Sequence, residues 1–177
     1  MVFLLHGKKN SKEFSKEIQV FIQELINNEF TILSTKSFVE EIRKYNNNNN
    51  NSDIKTISNI DLVDQKIDYL ICFGGDGTIL EAATIVKDSE VPIVGINTGR
   101  LGFLATISKE KLSSLIKNLI KKNYKLSHRS LLEICSDNHP IQYPFALNEI
   151  SVSSKENTSM INIKVFLNEQ YLNTYWA

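Results

Sequence analysis

The sequence has no excess of either charge: its 177 residues hold 20 lysines and arginines against 20 aspartates and glutamates. Proteins that live on nucleic acid or on an anionic membrane surface need surplus cationic side chains, so neither partner is expected. Cysteine is scarce. Cys72 and Cys135 are too few for a disulfide framework or a zinc cluster. No apolar run approaches the length of a membrane span. The N-terminal run Met1-Val-Phe-Leu-Leu5 stops at His6-Gly7-Lys8-Lys9, too short for a secretory signal and without a small-residue cleavage site. His6, His128 and His139 are scattered without metal-ligand spacing, so they read as structural or surface residues and no protein-held metal is expected. No internal repeat is visible. What is present is an ordinary globular balance, 42% hydrophobic and 23% charged, in a chain long enough to bury a core. These features describe a soluble cytoplasmic protein.

Hydrophobic periodicity gives the organisation. Val2–His6 reads as a buried strand. A helix follows, with Asn10 and Glu13 in a capping-box-like start and an apolar stripe of Phe14, Ile18, Phe21, Ile22, Leu25 and Ile26. Phe30–Ser34 is a short strand, and Lys36–Tyr45 a helix facing inward through Phe38, Val39 and Ile42. The six asparagines Asn46–Asn51 favour no regular element, and 46–52 is expected to be a disordered surface loop. Ile67–Phe73 is the clearest strand. Its continuous apolar run Tyr69-Leu-Ile-Cys-Phe73 fits the middle of a parallel sheet covered on both faces. A helix over 78–86, a strand at Val91–Ile96 and a helix capped by Ser108 with the stripe Leu112, Leu115, Ile116, Leu119 and Ile120 complete an α/β pattern. After Asn123 the pattern changes to strands without helices: Tyr124–Ser136, Ile141–Ser153, Met160–Leu167 and Tyr171–Trp176, with turns at Asp137–Asn138 and Asn168–Glu169. The fold class is therefore α/β. A parallel-sheet domain over 1–123 is followed over 124–177 by the start of an antiparallel β domain, too thin for an independent core.

Gly74-Gly75-Asp76-Gly77-Thr78 stands directly between the clearest strand and a helix. Glycines there let backbone approach a ligand and take positive φ, and the helix N-terminus behind them offers free N–H groups and a positive dipole end. Gly74, Gly75, Gly77 and Thr78 are accordingly candidate phosphate-binding residues. The Gly-Lys-Ser/Thr ending of a P-loop and the GxGxxG dinucleotide fingerprint are both absent. A carboxylate beside a phosphate cradle repels its ligand unless it accepts a proton from an attacking hydroxyl or helps hold a magnesium ion, which makes Asp76 the candidate catalytic residue. The plain alternative is a tight turn, in which Asp and Gly are common.

A second glycine loop, Asn97-Thr-Gly99-Arg100-Leu-Gly102-Phe103-Leu104, follows the next strand and opens at the same carboxyl edge of the sheet. Phe103 is a candidate to stack on a base or nicotinamide face, and Arg100 to reach phosphate, against the plain alternatives of a core Phe and a solvated Arg. Cys72 sits inside the central strand and is given no chemistry, since buried thiols are usually inert packing.

These two loops, with Ala146-Leu147-Asn148-Glu149 later in the chain, resemble the NAD kinase family in sequence, order and spacing, over essentially the whole chain outside the asparagine tract. The first motif alone is shared with diacylglycerol, sphingosine and phosphofructokinase relatives. The second and third single out NAD kinase. The resemblance implies an N-terminal α/β domain and a C-terminal β domain, with an active site between them and between subunits of a homo-oligomer. It implies transfer of the γ-phosphoryl of ATP to the 2′-hydroxyl of the adenosine ribose of NAD, giving NADP, with Mg²⁺ on the ATP phosphates. Asp76 matches the catalytic aspartate and Gly77 its phosphate-loop neighbour. Asn148 and Glu149 match the pair on the NAD ribose and nicotinamide portion. Phe103 matches an adenine-pocket residue, and Leu80 lies near that pocket. The family continues into a Thr-Pro-Thr-Gly-Ser-Thr-type loop that this sequence lacks. The alternatives are therefore an inactive nucleotide-binding fragment of such an enzyme, poorly soluble because its last strands lack partners, and a lipid-kinase relative sharing only the first loop. The choice of ATP or polyphosphate as donor stays open.

Overall fold

The structure, a computed structural model, describes residues 1–7, 12–45, 54–57, 66–99, 102–141, 143–154 and 160–176. Asn10, the asparagine tract and Arg100 lie outside the described residues, as do the side chains of Glu13 and Phe14. The chain forms two compact units, 1–147 and 148–177.

The first unit is built on a six-stranded sheet. Its strands are β1 (Val2–Gly7), β2 (Thr31–Thr35), β3 (Ile54–Ile57), β4 (Tyr69–Phe73), β5 (Ile93–Asn97) and β6 (Ile107–Ser108). They lie in the order β3-β2-β1-β4-β5-β6, and every neighbouring pair is parallel. Helices α1 (Lys12–Asn27), α2 (Lys36–Tyr45) and α3 (Asp76–Val86) make the crossovers between β1 and β2, β2 and β3, and β4 and β5 that parallel pairing requires, while α4 (Leu112–Ile120) follows β6. The layers follow from the period-2 alternation of the central strands. Phe3, Leu5, Tyr69, Ile71 and Phe73 face one side, where they pack with α1, α2 and α4. Leu4, Leu70 and Cys72 face the other, against Ile79, Ala82 and Val86 of α3. Both faces of β4 are thus buried, which is why its sequence is apolar without interruption. Phe73 stacks on Phe38 and meets Phe21 edge-on, with ring centroids 5.4 and 5.7 Å away.

Most helix stripes match the periodicity. Ile18, Phe21, Ile22 and Leu25 of α1 are buried, as are Phe38, Val39 and Ile42 of α2. In α4, Leu112, Leu115, Ile116 and Leu119 are buried while Ile120, in its last position, is exposed. A short 3₁₀ turn, Lys109–Lys111, separates Ser108 from α4. The Ser108 hydroxyl hydrogen-bonds the Glu110 carboxylate and lowers its pKa.

The change from strand–helix to strand–strand pattern falls at Asn123, but the first compact unit runs on to Leu147. Side chains tie this stretch down. The Tyr124 and Tyr69 hydroxyls lie 2.9 Å apart, the Tyr143 hydroxyl donates to the Ala83 carbonyl at 3.0 Å, and Leu147 packs on the α3-side core. The long strands expected over 124–136 and 141–153 reduce to one short antiparallel pair, β7 (Leu132–Glu133) with β8 (Phe145–Ala146). The connection between them spans 134–144, so Asp137–Asn138 does not form a tight hairpin turn.

The second unit holds the antiparallel hairpin β9 (Asn162–Leu167) and β10 (Gln170–Trp176). Its two-residue turn, Asn168–Glu169, has φ of 48° and 67°. Positive φ at both central residues is the mark of a type I′ turn, whose twist matches that of the strands. No helix among the described residues is long and apolar enough to cross a membrane.

Candidate active site

In the sheet, β1 is flanked by β2 on one side and β4 on the other. The chain therefore leaves β1 in one direction and later resumes at β4 in the other. At such a switch point doubly wound sheets bind ligands, in a crevice outside the carboxyl ends of the strands. The ends of these strands, Gly7 and Phe73, are register partners, and the first glycine turn begins at the next residue, Gly74.

Gly74 extends the sheet by one bond, its N–H donating to the Ile96 carbonyl at 3.0 Å. Both Gly74 and Thr78 are buried, and a Cβ added at Gly74 would overlap the Thr78 side chain. The absent side chain at Gly74 thus lets the first turn of α3 close onto the strand end. Gly75 and Gly77 are exposed, and a Cβ at either would meet open space. No glycine among the described residues takes positive φ, so their contribution is room and not left-handed backbone. Gly75 is the N-cap of α3 in extended conformation and provides no side-chain cap. The first amides of a helix have no intrahelical acceptor, so this end of α3 is an exposed, partly positive surface at the crevice.

Asp76 is the first residue of α3, and its carboxylate reaches the second glycine loop. Oδ2 accepts from the Phe103 N–H at 2.9 Å. Oδ1 accepts from Leu104 at 2.8 Å and Ala105 at 3.1 Å. The amides of Ala105, Leu104 and Phe103 hold the Asp76 carboxyl below the usual carboxylate range. A Cβ added at Gly102 would overlap this carboxylate, so the loop can wrap it only with glycine there. Asn97, at the end of β5, braces the same loop. Its Oδ1 accepts from the Gly99 N–H at 2.7 Å, and its Nδ2 donates to the Ala105 carbonyl at 3.5 Å.

Among the sequence candidates, Gly74, Gly75, Asp76, Gly77, Thr78 and Leu80 form one continuous turn and helix start, and Asp76 is bonded directly to Phe103. The Phe103 ring is 93% exposed, so its reading as a core residue fails. Leu80 is half-buried. Asn148 and Glu149 open the second unit, both exposed, with the Asn148 amide donating to the Glu149 carboxylate. Cys72 is buried and its thiol pKa is pushed up, chiefly by that burial. His6 is buried at the end of β1, with Nδ1 3.3 Å from the Thr35 hydroxyl and Nε2 3.8 Å from a Glu81 carboxylate oxygen. His128 and His139 are exposed. Among the described residues no three His, Cys, Asp or Glu side chains gather into a metal-holding group. Sequence reasoning missed the role of Gly102 and the Phe103–Ala105 amides. The Leu-Gly-Phe spacing marks a tight path, but nothing in it names a partner 27 residues upstream.

Comparison with known proteins identifies the family. The sequence profile of the ATP-NAD kinase N-terminal domain matches residues 3–124. An NAD kinase of Christiangramia forsetii is 43% identical over 149 residues, covering 82% of this chain and 50% of the relative. An NAD kinase of Cytophaga hutchinsonii is 36% identical over 178 residues, covering 100% of this chain and 60% of the relative. Among solved structures, yeast NADH kinase complexed with NADH superposes with a TM-score of 0.72 at 20% identity, covering 100% of this chain and 55% of that one. An NAD kinase from Archaeoglobus fulgidus in complex with ATP gives 0.64 at 23% identity, covering 99% and 57%. The chain thus spans about half to three fifths of the length of these relatives. With the profile covering most of its length, and with both glycine loops joined at one sheet edge, the chain belongs to the NAD kinase family.

Proposed function

We propose that the protein transfers the γ-phosphoryl group of ATP to the 2′-hydroxyl of the adenosine ribose of NAD, giving NADP and ADP. The observation that carries this reading is the Asp76 carboxylate, set at the uncapped start of α3 and bonded to the second glycine loop at the sheet's switch point. Structures of family relatives in complex with NADH and with ATP support the substrate pair.

Three amides occupy three of the roughly four acceptor directions of the carboxylate. Oδ1 takes two of them and Oδ2 one, which leaves Oδ2 an acceptor site for the ribose hydroxyl. The hydroxyl oxygen bonds to Pγ, the bond from Pγ to the β–γ bridging oxygen breaks, and the hydroxyl proton passes to Oδ2. A carboxylate of lowered pKa is a weak base. A loose phosphoryl-transfer transition state asks little of it, because the proton moves late. The exposed N-terminal backbone of α3 around Gly75 and Gly77 would hold phosphate oxygens, and Phe103 would lie against the adenine. Leu80 is assigned to the same pocket, and Asn148 and Glu149 to NAD, on the family motifs. ATP would enter as its magnesium complex, the ion carried on the phosphates. A cytoplasmic homo-oligomer is the assembly we propose.

The test is NADP formation by the purified protein from NAD, ATP and Mg²⁺, read with an NADP-specific dehydrogenase. Formation that requires all three supports the proposal. Its absence in folded protein would refute it for this chain. Replacing ATP with polyphosphate identifies the donor, and a diacylglycerol or sphingosine arm should give no product.

A further inference from the structure

Among the described residues of the second glycine loop, Phe103 has no side-chain packing of its own, its ring projecting into solvent. Leu104 is partly buried against the α3-side core, and Ala105 is the first fully buried residue. Asn97 braces Gly99 on one side and the Ala105 carbonyl on the other, leaving the main chain of Phe103 between them. Three successive N–H groups, Phe103, Leu104 and Ala105, converge there on one carboxylate. Convergent main-chain amides of this kind form an anion-binding concavity. Here its occupant is a residue of the chain itself, admitted because Gly102 has no side chain to obstruct it.

We propose that Asp76 is a positioning residue for the second glycine loop, its carboxylate latching the Phe103–Ala105 backbone so that the Phe103 ring is presented at the crevice, with Gly102 the position that admits the latch. The role is additional to the proton acceptance proposed above. It rests on that reading only where it concerns NAD affinity.

Amide hydrogen exchange in the ligand-free protein reads the latch residue by residue. In Asp76→Ala all three amides should exchange at least about tenfold faster, as expected for lost bonds to a charged acceptor, while Cys72 and Ile96 in the neighbouring strands keep their protection. In Asp76→Asn the remaining carbonyl oxygen still accepts from Leu104 and Ala105, so the Phe103 amide alone should accelerate. Gly102→Ala should repeat the Asp76→Ala pattern with the carboxylate still present but displaced. Unchanged exchange at the three amides in Asp76→Ala would overturn the proposal. So would intact protection in Gly102→Ala. If Asp76→Ala loses protection everywhere, the Asn variant decides: acceleration confined to Phe103 supports the latch, and any other pattern overturns it.

Calorimetric titration supplies a readout that needs no turnover. A latch predicts that Asp76→Ala costs less NAD affinity in a Phe103→Ala background than in the wild-type protein, because the ring it positions is already gone. A hydrogen bond from Asp76 to the ribose alone would cost the same factor in both backgrounds and overturn the positioning role. Wild-type protein with protected amides and no NADP formation would refute the phosphotransfer reading and leave the latch standing.

Discussion

Replacing Asp76 with asparagine tests the proposed chemistry most directly. The two side chains have nearly the same shape, so the difference lies in acceptor capacity. In the native protein Oδ1 receives the Leu104 and Ala105 amides, and Oδ2 receives Phe103 with one direction left over. In Asp76→Asn the retained oxygen keeps the first two bonds. The NH₂ group then faces the Phe103 N–H donor to donor, and it presents a hydrogen where the ribose hydroxyl must give one up. The variant should therefore fold, bind ATP almost normally and lose proton acceptance, a factor of about 10²–10⁴ in the chemical step. Asp76→Glu restores the charge but moves it by one methylene, and should recover only part of that factor. The assay is single-turnover NADP formation at saturating NAD and ATP, which separates chemistry from product release. A chemical step within about threefold of wild type in Asp76→Asn would refute the assignment, because a group worth 10²–10⁴ cannot be dispensable.

Three further expectations follow from individual residues. Phe103→Ala removes a ring that is 93% exposed, so unfolding should be unaltered while KM for NAD rises several-fold; an unchanged KM would take Phe103 out of the site. The Asp76 carboxyl is lowered in the folded protein, so its contribution to stability is complete above the unfolded value of ~3.9 and is lost as pH falls through the folded value. The gap in urea midpoint between wild type and Asp76→Asn should therefore be constant near neutrality and close in acid; a gap of the same size at every pH contradicts the ionic latch. Glu169 sits at φ 67° in the β9–β10 turn, and Glu169→Gly creates the Asn-Gly pair that type I′ turns favour, relieving about 1 kcal/mol of left-handed strain. Cross-strand NMR contacts between Phe166 and Tyr171 should strengthen; weakening would mean that the turn is of another type.

What the sequence could reveal was set by how locally each feature is encoded. The central strands were legible because β4 is buried on both faces and its residues say so without interruption. The helices were legible because each needs only one stripe, and Lys36–Tyr45 coincides with α2. The edge strand β3 escaped notice. Ile54-Lys-Thr-Ile57 buries Ile54 and exposes Lys55 and Thr56, so it offers no apolar run, and it depends on β2 for every backbone partner. The opposite error befell 124–153, where apolar and β-branched residues suggested long strands. There, burial comes from side chains such as Tyr124 and Tyr143 reaching back to β4 and α3, with little backbone pairing.

The site divides in the same way. A glycine turn between a buried strand and a helix declares an anion-binding surface from local chemistry alone. The purpose of its carboxylate is not local, since an aspartate beside a phosphate cradle could be a base, a metal ligand or a turn residue. The structure adds a fourth role that no spacing rule suggests: the acid of the first loop fills an amide pocket of the second. That contact makes the two motifs interdependent. Asp76 needs a partner loop without a side chain at residue 102, and the amides at 103–105 need an anion to converge on. A change at either place should therefore be felt at the other, and double substitution at Asp76 and Gly102 should cost less than the sum of the single changes.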